Sequence, residues 1–316
     1  MSTFGKDSTT DEVLAGKDMA GLTVFITGAN SGLGQETARA MAACGARIIM
    51  AGRDQAKLDE AAAAIRAQHP DASIDTIICD LGNLASIRAC GDEARKRFTA
   101  IDLLINNAGV MACPLMHTAD GFEMQFGTNH LGHFALTAEL LPLIEAGNAK
   151  RIVNLSSRGH HFAPVDLDDP NFTERPYDPW QSYGHSKTAN ILFTVGLEAR
   201  FAAKGIHAYA VHPGGIRTNL GRHMTEEMTA ALIERVTKSD SGFAWKTIPQ
   251  GAATSCWAAT ALELEGTGGV YCEDCHVAPV DNQSSEGGVR SYALDPAAAE
   301  RLWTLSEQLT GAQYPA

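Results

Sequence analysis

In the stretch SYGHSKTAN a phenol and an ammonium stand four residues apart, Tyr183 and Lys187. On a helix both would lie on one face. Two readings fit. The pair is either a surface couple at helical spacing, or a proton donor with a lysine charge held beside it. A free phenol has a pKa of about 10, too high for an efficient base near neutrality, and a neighbouring cation lowers it. The two residues alone do not choose between these readings.

A second chemical feature is TGANSGLG, in which Gly28, Gly32 and Gly34 follow an apolar run and open a helical pattern. Glycine permits the tight turn and lets backbone approach a pyrophosphate, which a helix N-terminus favours through its free N–H groups. The spacing is G-x-x-x-G-x-G rather than G-x-G-x-x-G, but its place between strand and helix sets it above a plain turn. After the next apolar run, MAGRD puts Gly52 and Arg53 where an NAD site places an acid for the ribose 2′-hydroxyl. A guanidinium there pairs with a 2′-phosphate, so these residues point to NADP(H), with NAD(H) as the second choice. The competing reading of Arg53 is a solvated surface arginine. Asp54 is placed to cap the following helix.

Other reactive clusters carry less. CEDCH, Cys272 to His276, has the form of a haem attachment site, yet no second cysteine pair could complete a tetrahedral zinc site. A structural role is favoured. His160 and His161 are adjacent and seldom would converge on one ion, so they read as loop or site rim. No metal is expected. His185 is two residues from Tyr183 and faces another way.

Elements must position these residues. Seven short runs, nearly continuous in apolar residues, suit parallel strands buried on both faces. They are Leu22–Gly28, Ala46–Gly52, Ser73–Asp80, Ile101–Gly109, Arg151–Ser157, Ile206–Gly215 and Gly268–Cys272. Helical stretches alternate with them. The expected fold is an α/β single-domain Rossmann fold, a doubly wound seven-stranded parallel sheet with helices on both faces. It would occupy residues 21–316 behind a flexible tail, 1–20, with irregular substrate-loop segments at about 158–181 and 218–249. Met224, Met228, Leu232 and Val236 recur at helical intervals, which fits a lid or a core-facing helix about equally. Phe162, Tyr177 and Trp180 could wall a pocket.

Composition bounds the rest. The chain has 316 residues and a formal charge of −12, which disfavours a nucleic-acid partner. Seven cysteines, an odd number, form no framework and fit a reducing compartment. The polar N-terminus and the lack of a membrane-length apolar run predict a cytoplasmic protein without a membrane anchor.

From Leu22 to Gly311 the chain resembles the short-chain dehydrogenase/reductase family. TGANSGLG, CDL, NNAG, TNHLGHF, NLSS, YGHSK and HPGGIRT follow the family's order. TNHLGHFALT, YGHSKTANILFT and ERLWTLSEQLTG look most like its retinol-dehydrogenase-type branch. Members of that branch often carry a membrane-anchoring N-terminus, and none is expected here from the polar N-terminal residues, so the substrate need not be a retinoid.

The resemblance implies a tetrad of Asn129, Ser157, Tyr183 and Lys187. Tyr183 would exchange a proton with the substrate oxygen, Lys187 would stabilise the phenolate and bond the nicotinamide ribose, Ser157 would hold the oxygen, and Asn129 would hold a water. Ser156 would be structural. Asn30, Ser31 and Leu33 belong to the phosphate loop. Asp80 would bond the adenine amino group with Leu81 beside it. Asn107, Ala108 and Gly109 would line the ribose, and Pro213, Gly214, Ile216 and Thr218 the nicotinamide. The implied function is an NADP-dependent oxidoreductase interconverting a small apolar alcohol and its aldehyde or ketone. The alternative is a non-catalytic NADP-binding regulatory or scaffold protein. A sugar-nucleotide epimerase ranks third, because NNAG and the lack of a substrate domain oppose it. Family habit also implies a homodimer or homotetramer, formed through helices at about Asp120–Ala146 and Trp180–Lys204.

Overall fold

The computed structural model describes residues 3–239 and 244–315, with backbone alone over 235–239. The seven apolar runs each yield a strand: β1 (Thr23–Thr27), β2 (Arg47–Gly52), β3 (Ile74–Ile78), β4 (Leu103–Asn106), β5 (Arg151–Leu155), β6 (His207–His212) and β7 (Val270–Glu273). The sheet order is β3-β2-β1-β4-β5-β6-β7, all parallel, with an eighth strand, β8 (His276–Val277), antiparallel to β7. The expected count of seven was therefore one short. CEDCH is a hairpin: Asp274 and Cys275 turn the chain with φ of 47° and 57°. Two left-handed residues are what a tight hairpin needs, but no Asn-Gly or Asp-Gly pair announces it.

The helices are α1 (Thr10–Leu14), α2 (Gly32–Ala43), α3 (Gln55–Gln68), α4 (Leu84–Arg97), α5 (Met124–Phe126), α6 (Gly132–Glu145), α7 (Pro179–Phe201), α8 (Glu226–Ser239), α9 (Ile248–Thr260) and α10 (Pro296–Thr310). Asp54 caps α3 by accepting from Lys57 N, as expected. Leu14, Met41, Leu58 and Trp257 bring α1, α2, α3 and α9 onto one face of the sheet. Ile87, Phe134, Phe193 and Trp303 bring α4, α6, α7 and α10 onto the other. Strand residues alternate between the faces, Ile26 into the first core and Phe25 into the second.

The tail expected to be flexible is ordered over its middle. Val13 and Leu14 of α1 are 2% exposed, and Arg39 of α2 pairs with Asp11 at 2.7 Å. A sequence signal existed: Thr9 and Glu12 form a capping box. Five residues are too few for helical periodicity to show, and the packing partners lie far away in sequence.

The centre of segment 218–249 is helical, as the spacing of its apolar residues suggested, and α8 occupies it. No residue from 226 to 234 is buried, and Met228 and Leu232 are half-buried. The side chain of Val236, and residues 240–243, lie outside the described residues. On the opposite side α10 packs along α7, and Tyr314 Oη donates to Phe134 O at 2.7 Å. Much of the α7 surface through which association was expected is thus already covered by the chain itself.

Candidate active site

β1 and β4 are neighbours, yet the chain leaves them in opposite directions across the sheet. This switch point opens a crevice at the carboxyl ends of the strands. A cavity of about 1200 Å³ fills it. All the expected site residues line this cavity except Gly34 and Asn129, which lie behind its wall.

The loop after β1 fits a pyrophosphate-bearing dinucleotide. Gly28 has φ 64°, and a Cβ on Gly34 would meet Asn107 Nδ2 and Gly28 O at 2.5 Å. Only glycine allows that approach of loop to strand end. Asn107 closes the crevice floor, donating from Nδ2 to Thr27 O at 2.7 Å. The Asp80 carboxylate accepts from Gly82 N at 3.0 Å at the far end.

At the other end stands Tyr183, 4% exposed. Its ring lies so close to the turn after β5 that a Cβ on Gly159 would come within 2.7 Å of Tyr183 Cε1. Gly159 N donates to Ser157 Oγ at 3.0 Å, and Ser157 stands near enough to the Tyr183 hydroxyl to oppose the effect of burial on it. Gly159 therefore brings phenol and hydroxyl together, a role no motif reading supplied. Ser156 Oγ donates instead to Lys187 O at 2.8 Å, tying β5 to α7.

Lys187 Nζ donates to Leu155 O at 3.0 Å and lies 5.6 Å from the Tyr183 ring centre. The expected lowering of the phenol by this lysine is not what the chain alone produces. Burial pushes Tyr183 up to about 12, Ser157 opposing it, and burial pulls Lys187 down to about 8.

Asn129 lies in a π-helical turn, Gly127–Leu131, ahead of α6. Its Nδ2 donates to Val110 O and to Ser186 Oγ, both at 2.9 Å. Both amide hydrogens are thus committed, so any water at the Asn129 side chain is held through Oδ1. Thr27 Oγ1 accepts from Asn107 N and Ala108 N at 2.9 and 3.0 Å, and its own proton goes to His133 Nε2 at 2.9 Å. His133 Nδ1 then donates to Asn129 O at 2.9 Å. Burial holds His133 down at about 4, so it stays neutral in this role.

The pattern of the family described as short chain dehydrogenase matches residues 22–229. This chain belongs to the short-chain dehydrogenases. It is 40% identical over 306 residues to retinol dehydrogenase 14 of Homo sapiens, covering 93% of this chain and 87% of that one. It is 43% identical to an oxidoreductase of Streptomyces lividans, covering 90% and 96%. A solved structure from Mycobacterium Paratuberculosis, of an uncharacterized protein, shares 37% identity at TM-score 0.74, covering 96% and 98%. A gluconate 5-dehydrogenase from Burkholderia cenocepacia, solved with NADP and tartrate, shares 25% identity at TM-score 0.63, covering 81% and 94%. The protein is an oxidoreductase of CH–OH groups in a family that uses NAD(P), and it is of the retinol-dehydrogenase type.

Of the dehydrogenase's two adjacent histidines, His161 lines the cavity rim and His160 is tied into the chain behind it. His160 Nδ1 bonds Ser157 O at 2.8 Å and His160 Nε2 accepts from Arg290 N at 3.1 Å. Among the described residues no group of three metal-ligating side chains converges. Cys272 and Cys275 are free, buried thiols. Phe162 and Trp180 wall the cavity as expected. Tyr177 does not, because its hydroxyl turns inward to Cys113 O at 2.9 Å. No helix among the described residues is long and apolar enough to cross a membrane.

Proposed function

We propose that this dehydrogenase interconverts an apolar alcohol and its aldehyde or ketone with NADP(H), using Tyr183 as the acid and base. The observation that carries the reading is the meeting of the Tyr183 hydroxyl and Ser157 on one cavity with the glycine loop. The nicotinamide, when bound, supplies or accepts hydride. Tyr183 gives its phenolic proton to the carbonyl oxygen in reduction and recovers it in oxidation, while Ser157 orients that oxygen. At neutral pH a phenol pushed up to about 12 is protonated, which is the state reduction starts from. Oxidation needs a phenolate, and Lys187 is the cation near enough to favour one.

Phe162, Trp180, Leu220, Met224 and Leu232 support an apolar substrate. The name of the human relative, a retinol dehydrogenase, agrees with that class. Exposed Arg53 in the absence of an acid at Gly52 supports NADP(H), as does the NADP held by the Burkholderia neighbour. Seven cysteines, none of them paired, support a reducing, cytoplasmic setting. Association as a homodimer or homotetramer rests on family habit. Light scattering that finds only monomer removes it.

The test is a panel of aldehydes, ketones and secondary alcohols with both cofactors, followed by nicotinamide absorbance. Turnover with apolar members, and a ten- to hundredfold preference for the phosphorylated cofactor, is expected from a charge-assisted contact worth about 1.5–3 kcal/mol. Binding of NADPH without turnover of any member would favour the scaffold alternative.

A further inference from the structure

Arg53 and Arg222 line the same cavity from different parts of the chain. Arg53 follows β2 and is exposed. Arg222 closes the short turn Asn219–Gly221 that leads into α8. The three segments between them are stacked side by side. A Cβ on Gly52 would lie 3.5 Å from Asn30 Oδ1, and one on Gly32 would lie 3.5 Å from Thr218 Cγ2. The end of β2, the glycine loop and the start of the α8 segment thus form one rim.

That rim carries two arginines in no ion pair among the described residues. Among the described residues no carboxylate lies within ion-pairing distance of either guanidinium. Arg222 Nη1 donates to the neutral Asn219 O at 3.1 Å, and the nearby Asp54 is shared with Lys57 at 3.7 Å. Burial and the Arg53 charge both lower Arg222, and His223 is lowered by burial and by both arginines. In a chain of net charge −12 this is a local site for an anion, where two like charges repel until one arrives.

We propose that Arg222 and Arg53 form a two-arginine clamp on the 2′-phosphate of NADP(H), so that the phosphate draws the start of the α8 segment onto the cofactor. The inference rests on the NADP reading above and adds a residue from the substrate segment to it. Cofactor choice and pocket closure are then one event, because the group that distinguishes NADP from NAD is also the group that holds Arg222.

Calorimetric titration of the full chain with 2′,5′-ADP and 5′-ADP tests it without turnover. The wild type is expected to favour 2′,5′-ADP by about ten- to a hundredfold, as a charged contact allows. Arg222→Gln should cut that ratio about tenfold and leave 5′-ADP binding unchanged, which also shows that the variant is folded. Arg222→Lys should keep part of the ratio. Hydrogen exchange over 219–234 should slow more with 2′,5′-ADP than with 5′-ADP, and this difference should vanish in Arg222→Gln. A wild-type ratio in Arg222→Gln overturns the clamp, and so does equal weakening of both ligands, which would put Arg222 on the pyrophosphate. If Arg53→Ala loses the preference while Arg222→Gln keeps it, the NADP reading stands and the clamp falls. If the wild type shows no preference, both fall.

Discussion

The two walls of the cavity are built in opposite ways. On one side, α7 carries Tyr183 and Lys187 and is buried at almost every position from Ser182 to Leu197, beneath α10 and the aromatic rings of Trp303 and Tyr314. His130 Nε2 bonds Ser306 Oγ at 2.8 Å, locking the π turn to the same cover. On the other side, α8 has no buried residue from 226 to 234, although Leu232 and Ile233 line the cavity. On the proposed mechanism, the group that meets a reacting atom sits where its neighbours are closely packed. The surface that must admit different molecules sits where few contacts resist movement.

The comparison breaks first at the chemistry. Tyr183→Phe keeps ring and packing, so cofactor affinity and thermal midpoint should hold while turnover drops roughly 10²–10⁴-fold. Near-native turnover in that variant would refute the role of α7. Packing comes next. Trp303→Ala should cost about 3–5 kcal/mol in urea unfolding, because Trp303 is 3% exposed and packs against Phe134 and Phe193. Leu232→Ala should cost less than about 1 kcal/mol. Similar losses at the two positions would mean that the walls do not differ.

Acid sharpens the contrast. Burial holds His130 at about 3 and His133 and His185 at about 4, below the ordinary 6.5. Between those values the unfolded chain takes up protons that the folded chain refuses, so stability falls as pH drops from about 6.5 toward 4. Each group contributes about 1.4 kcal/mol per pH unit at most. A urea midpoint that stays level between pH 7 and pH 5 would argue against neutral, buried imidazoles. The smallest effect belongs to the looser wall. Arg53→Ala should lower the NADP over NAD ratio in kcat/KM by about tenfold with little change in kcat. An unchanged ratio would leave Arg53 as an ordinary surface residue.

Much of this was legible in the sequence, for a physical reason. Parallel strands buried on both faces need unbroken apolar runs, so β1 to β7 announce themselves. Tyr183 and Lys187 share a helix, and their spacing alone puts them on one side of it. What stayed hidden depends on distant residues. Gly159 looks like any loop glycine until the Tyr183 ring lies against it. α1 is too short for a period, and β8 hangs on two left-handed residues without a turn motif. The spacing of Tyr183 and Lys187 shows their proximity but not their depth, and it is burial that pushes the phenol up. Arg222 is one basic residue in a polar stretch, and its place on the same cavity as Arg53 is tertiary.

The cover over α7 also sets an order of events during synthesis. Phe201 leaves the ribosome 102 residues before Trp303, its partner. At about 5–20 residues per second this is a wait of roughly 5–20 s. Throughout it Phe193 and Phe201 lack the cover that Trp303 later gives them, although Phe134, made earlier, already has its place against Phe193. The nascent chain is therefore a natural client for a holding chaperone, and the surface it would grip is the back of the helix that carries the tyrosine.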